Sequence, residues 1–105
     1  MAEFVTVGKT DEIAPGAVKV YEVGEHRVAV CNVDGTFYAI DDLCTHDGGP
    51  LDQGELLGEK IECPRHGACF DVTTGKALTL PAVAPVRSYP VQIDGDDISV
   101  EIDDD

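Results

Sequence analysis

Two short stretches hold the residues best suited to chemistry. CPRHGACFD, residues 63–71, sets Cys63 and His66 three positions apart. DDLCTHDGGPL, residues 41–51, sets Cys44 and His46 two apart. A Cys and a His this close can be a metal-ligand pair, a catalytic thiol with its base, or packing without chemistry. Catalysis is the weakest of the three. A reactive thiolate needs a base positioned across a pocket, and neither stretch offers a third orienting group or an oxyanion hole. Zinc takes the same donor atoms and stays open, although a zinc finger groups its ligands as Cys-Cys on one arm and His-His on the other.

Read together, the stretches give Cys44-Thr-His46, sixteen residues, then Cys63-Pro-Arg-His66. Each supplies one thiolate and one imidazole. That alternation suits a site with sulfur at one pole and nitrogen at the other. Two facing loops could place both Cys on an inner metal and both His on an outer one. A [2Fe–2S] cluster with two His in place of two Cys on one iron has that requirement. Pro64 fixes φ beside a ligand, and Gly48, Gly49 and Gly67 let backbone approach closely, though ordinary turns use the same residues.

These loops need a rigid frame, and 105 residues suffice for one domain, expected to span 1–105. Period-2 runs dominate: EFVTVG, AVKVYEV, RVAVCNV, TFYAI, KIEC, PVRSYPVQI and DISVEI read as short strands. VGEH, VDGT, TTGK and IDGDD lie between them as turns, with Asp34-Gly35 the clearest hairpin. At most a turn is expected near KTDEI, residues 9–13. The expected fold is all-β, an antiparallel sandwich or barrel. The non-strand regions 41–54 and 63–70 carry the four ligand candidates. Chemistry on loops held by a sheet is the usual arrangement.

Composition narrows the partners. Seven basic against 21 acidic residues give a net charge of −14. Such a surface repels nucleic acid and anionic lipid and draws basic protein surfaces, or it serves solubility alone. No run is apolar and long enough to span a membrane, and MAEFVTVGKT lacks the basic-then-apolar order of a signal peptide. A cytoplasmic, monomeric protein is expected, with the closing IDDD, residues 102–105, as a frayed tail. Four cysteines in a reducing compartment point to metal or catalysis before disulfides.

The C-x-H–x₁₆–C-x-x-H pattern, embedded in CTHDGGPL and CPRHGACFD, resembles the Rieske ferredoxins, and the likeness extends through TTGKALTLPAVAPVRSYPV to the C-terminal strands. The resemblance implies a small cluster-binding subdomain of two loops holding one [2Fe–2S] cluster. Cys44 and Cys63 would bind the buried iron, His46 and His66 the iron nearer solvent. The proline-containing loop 80–86 would shield the cluster, or serve only as a stiff connection between strands. The family's high-potential members carry an extra disulfide between the loops, and its positions are Gly49 and Arg65 here. They also carry a serine and a tyrosine whose hydroxyls hydrogen-bond the cluster region, at positions that are Ala68 and Phe70 here. Reduction adds negative charge, which a hydroxyl donor stabilises. Losing such a bond costs roughly 1–2 kcal/mol, or on the order of 40–90 mV for one electron. Rieske sites span about −150 to +300 mV, and this chain is expected at the low end.

By the same resemblance the chain is a one-electron carrier without bond chemistry of its own. It would take electrons from a flavin-dependent ferredoxin reductase and pass them to a terminal oxygenase or another redox partner with a basic docking surface. A terminal oxygenase itself is disfavoured, because only His26 is left for the mononuclear iron such an enzyme needs. A small accessory subunit of a nitrite-reductase-like enzyme, or a carrier serving iron–sulfur assembly, is the alternative. Cys31 is expected as a buried core thiol, Cys69 as packing near the cluster, and His26 as a solvated hairpin residue.

Overall fold

Among the described residues ten strands build the frame, and β-branched residues on alternating faces explain most of them. The structure is a computed structural model that describes residues 2–42, 51, 54–63, 67–79 and 85–103. In chain order these are β1 (Ala2–Lys9), β2 (Val18–Val23), β3 (His26–Val33), β4 (Thr36–Asp41), β5 (Glu55–Leu57), β6 (Lys60–Glu62), β7 (Cys69–Asp71), β8 (Ser88–Tyr89), β9 (Val91–Asp94) and β10 (Asp97–Asp103). A short 3₁₀ turn, Thr10–Glu12, falls inside the KTDEI stretch, and the Lys9 N–H donates to Glu12 Oε1 at 2.8 Å.

The strands form three antiparallel sheets, ordered β1-β10-β9, β2-β3-β4-β8 and β5-β6-β7. The four-stranded sheet is the middle layer. One face contributes Val28, Val30, Ala39 and Tyr89 to a core with Ile98, Val100 and Ile102 of β10. Its other face contributes Ala29, Cys31 and Ile40 to a core with Ile61, Phe70, Leu51 and Cys63. Residues 28–32 of β3 are all buried, so this strand is apolar on both faces instead of alternating. The β3–β4 hairpin turns at Asp34 and Gly35, with φ of 51° and 93°. Both values are positive, as the tight hairpin requires and as the Asp-Gly pair foretells.

Three expectations need correction. PVRSYPVQI is not one strand. Ser88 and Tyr89 pair with β4, whereas Val91–Asp94 pair with β10. Pro90 stands between them without an N–H to continue a ladder, and its carbonyl accepts from Glu101 N at 3.0 Å. The chain therefore changes sheets at Pro90. Second, β5 and β7, each three residues long, are strands that the period-2 reading does not include. The second loop accordingly ends at Ala68, with Cys69 and Phe70 already in β7. Third, Ile102 is buried and β10 runs to Asp103, opposite Ala2, so the tail does not fray from residue 102. Residues 104–105 lie outside the described residues.

Candidate metal centre

The small β5-β6-β7 sheet brings the two candidate loops to one place. Glu55, just past the first loop, pairs with Glu62, just before the second. The loops therefore leave neighbouring strands at the same register. Gly54 makes this approach feasible: a Cβ there would lie 1.8 Å from the Glu62 carbonyl oxygen. Only glycine fits.

Cys63 follows β6 directly and is 1% exposed. Its N–H donates to the Ala68 carbonyl at 2.6 Å, and its carbonyl accepts from Gly67 N at 3.0 Å. Gly67 takes a φ of 76°, which lets the chain return to β7. Cys63 shares its core with Leu51, Ala68 and Phe70. Cys44, His46 and His66 lie outside the described residues, as do Gly48, Gly49, Pro64, Arg65 and residues 80–84 of the proline-containing loop. Pro85 is exposed and Val86 is buried.

The ends of the first loop are held by a residue that sequence reasoning missed. Asp42 has a side chain with zero exposure. Its Oδ1 accepts from Leu51 N at 2.8 Å and its Oδ2 from Arg27 Nη2 at 3.3 Å. The Asp42 N–H donates to the Arg27 carbonyl at 2.9 Å, and Leu51 O accepts from Gly54 N at 2.9 Å. The Asp42 hydrogen bond holds the Arg27 guanidinium above its ordinary value. Nothing along the chain separates this aspartate from the other acids except its place at the loop entrance.

The remaining candidates divide. Cys31 is fully buried, and burial first, then the Asp42 charge, pushes its thiol up to about 12. It is a core thiol, as expected. Cys69 is 5% exposed; its N–H donates to Thr79 Oγ1 at 2.9 Å and its Sγ–H to Gly67 O at 3.6 Å. That is packing at the base of the second loop. His26 is not simply solvated. It is half-buried, its ring meets Tyr89 edge-on at 6.1 Å, and its Nδ1 lies 3.4 Å from the Tyr89 hydroxyl. That hydroxyl also donates to the Asp41 carboxylate.

Cys63, the one ligand candidate among the described residues, fits a Rieske-type [2Fe–2S] group. Such a group needs a thiolate at a dry inner pole, and Cys63 is buried among apolar side chains at a hairpin tip. Ala68 and Phe70, both fully buried, bring no hydroxyl there.

Known proteins share this arrangement. The Rieske [2Fe-2S] domain model matches residues 3–90. The ferredoxin component of biphenyl 2,3-dioxygenase from Rhodococcus jostii (strain RHA1) is 41% identical over 92 residues, covering 88% of this chain and 86% of that protein. Among solved structures, the ferredoxin of carbazole 1,9a-dioxygenase from Nocardioides aromaticivorans IC177 superposes with a TM-score of 0.89 at 40% identity, covering 92% of this chain and 95% of that one. A complex of reduced oxygenase and oxidized ferredoxin in carbazole 1,9a-dioxygenase contains a match with a TM-score of 0.87 at 34% identity, covering 92% and 91%. A protein described as a nitrite reductase NADPH small subunit shares the fold alone, at 18% identity and a TM-score of 0.80 over 93% and 97% of the two chains. Because the family match, residues 3–90, takes in both loops and strands β1 to β8, this chain is a member of the Rieske [2Fe-2S] domain family.

Proposed function

We infer that the chain is a low-potential one-electron carrier, the ferredoxin component of a multicomponent dioxygenase system. The observation that carries this reading is full-length similarity at 40–41% identity to ferredoxin components of two such systems. The nitrite-reductase alternative has only a shared fold behind it.

Cys44, His46, Cys63 and His66 would hold one [2Fe–2S] cluster per chain. The cluster supplies reversible uptake of a single electron. The residues around it do the rest. The apolar shell of Leu51, Ala68 and Phe70 would exclude water from the Cys63 side. Ala68 and Phe70 offer no donor to stabilise added negative charge, which supports a low potential. The chain performs no bond chemistry itself and acts as a monomer. Its partners would be a flavin-dependent reductase and a terminal oxygenase. Support for the second comes from the oxygenase–ferredoxin complex formed by a similar protein. The charge of −14 favours basic docking surfaces on both. No helix among the described residues is long and apolar enough to cross a membrane, and a cytoplasmic location is proposed.

Iron and sulfide analysis of purified protein, with the paramagnetic spectrum of its reduced form, tests the ligand set. Equal iron and sulfide and a spectrum altered in His66→Cys are expected. Colourless protein containing zinc, or a spectrum unchanged in that variant, overturns it.

A further inference from the structure

We propose that Asp42 is a positioning residue for the electron-transfer site, clasping both ends of the loop that carries Cys44 and His46 while Arg27 holds its charge. The proposal rests on the ligand set given above.

Three features single out this carboxylate. It is the residue just before segment 43–50, and its Oδ1 takes the N–H of Leu51, the residue just after. One side chain thus closes the loop across its base. It is also wholly shielded from water, and a buried carboxylate persists only when paired and hydrogen-bonded. Arg27 supplies the pairing at 3.3 Å from β3 of the middle sheet. Finally, Leu51 is fully buried beside Cys63. The clasp therefore fixes the first loop against the core that also seats the second loop's thiol.

A plain stabilising role would lower the melting temperature and leave the cluster's electronic properties alone. A positioning role acts on the cluster. Asp42→Ala removes the acceptor for Leu51 and leaves Arg27 with Glu22, whose Oε1 accepts from Arg27 Nη1 at 3.1 Å. Iron loss to a chelator should then accelerate roughly tenfold, the scale seen when a partner behind metal ligands is removed. Asp42→Asn keeps an oxygen for Leu51 but drops the negative charge, so iron retention should recover and the midpoint potential should rise. Arg27→Gln leaves the carboxylate less neutralised, so the midpoint should fall.

The test measures chelator-driven iron release, the midpoint by redox titration and the reduced-state paramagnetic spectrum for all three variants. Cys44→Ser is included as the ligand control. Faster release in Asp42→Ala, recovered in Asp42→Asn, with opposite midpoint shifts in Asp42→Asn and Arg27→Gln, supports the proposal. If Asp42→Ala does not fold, Asp42→Ser, whose shorter side chain cannot reach Leu51 in the same way, is read for iron release in its place. Wild-type release in Asp42→Ala, or midpoints that stay put or move together, overturns the clasp while an altered Cys44→Ser spectrum leaves the ligand set standing. An unchanged Cys44→Ser spectrum removes the ligand set and the proposal with it.

Discussion

Gly54 and Glu62 touch backbone to backbone: a Cβ on Gly54 would lie 1.8 Å from the Glu62 oxygen and 2.9 Å from its carbonyl carbon. The obstacle is main chain and cannot swing away as a side chain could. This contact holds the exit of the first loop against the entrance to the second, one residue before Cys63. Gly54→Ala must push β5 away from β6. The expected loss of stability is about 1–3 kcal/mol, as for other overpacked sites, with impaired cluster retention. Gly58→Ala is the control. That glycine has a φ of 64° with nothing within 4 Å of its would-be Cβ, so only the backbone penalty of about 1 kcal/mol applies and the cluster stays. Urea denaturation and iron content of the two variants check the contrast. Equal behaviour would remove the Gly54 contact from the account.

Alkali should weaken the fold in a defined window. Burial pushes the Cys31 thiol from 9.0 up to about 12, with the Asp42 charge adding to it. Burial, then the Glu12 hydrogen bond, pushes Tyr21 from 10.0 to about 12. In both cases the folded state holds the proton more tightly than the unfolded chain. The resulting stability is complete below the ordinary values and drains away as pH rises toward about 12. The melting temperature should therefore decline from pH 9.0 upward, and Cys31→Ala should decline less steeply even if its starting value is lower. Parallel slopes would count against a buried thiol as the source.

Hydroxyl groups restored near the cluster should raise its potential. Ala68 and Phe70 are fully buried, and the Ala68 carbonyl already accepts the Cys63 N–H at 2.6 Å. Ala68→Ser and Phe70→Tyr should each raise the midpoint by roughly 40–90 mV if the new donor reaches the cluster region. Protein-film voltammetry or redox titration reads the shift directly. A fall in either variant would contradict the account of the low potential.

Partner encounters should be salt-sensitive. With 21 acidic and 7 basic residues, long-range attraction to a basic docking surface speeds association, and added salt screens it. Electron transfer to the proposed oxygenase partner should slow steadily between low and moderate ionic strength. Stopped-flow rates that stay flat would leave the acidity with a solubility role only.

The signals behind the proposed site and the clearest turn are local ones. Cys63 and His66 are three residues apart, and the Asp34-Gly35 turn needs only its own two φ angles. Cys31 was legible as a core thiol because apolar residues surround it in RVAVCNV. The exposure of His26 was misjudged, since Tyr89 lies 63 positions away and nothing near His26 announces it. The strand split at Pro90 was also missed. One period-2 run reads the same whether or not its two halves pair with the same sheet.

The all-β class, the family and the proposed ligand pattern follow from residue types and short spacings, which are properties of the linear chain. Packing alone selects Asp42 from the acids among the described residues, seats it against Arg27 fifteen positions earlier and presses Gly54 against Glu62. Burial and close approach are relations between distant segments. They come into being only when the sheets stack, so no local pattern can encode which acid loses its water or which glycine meets a carbonyl.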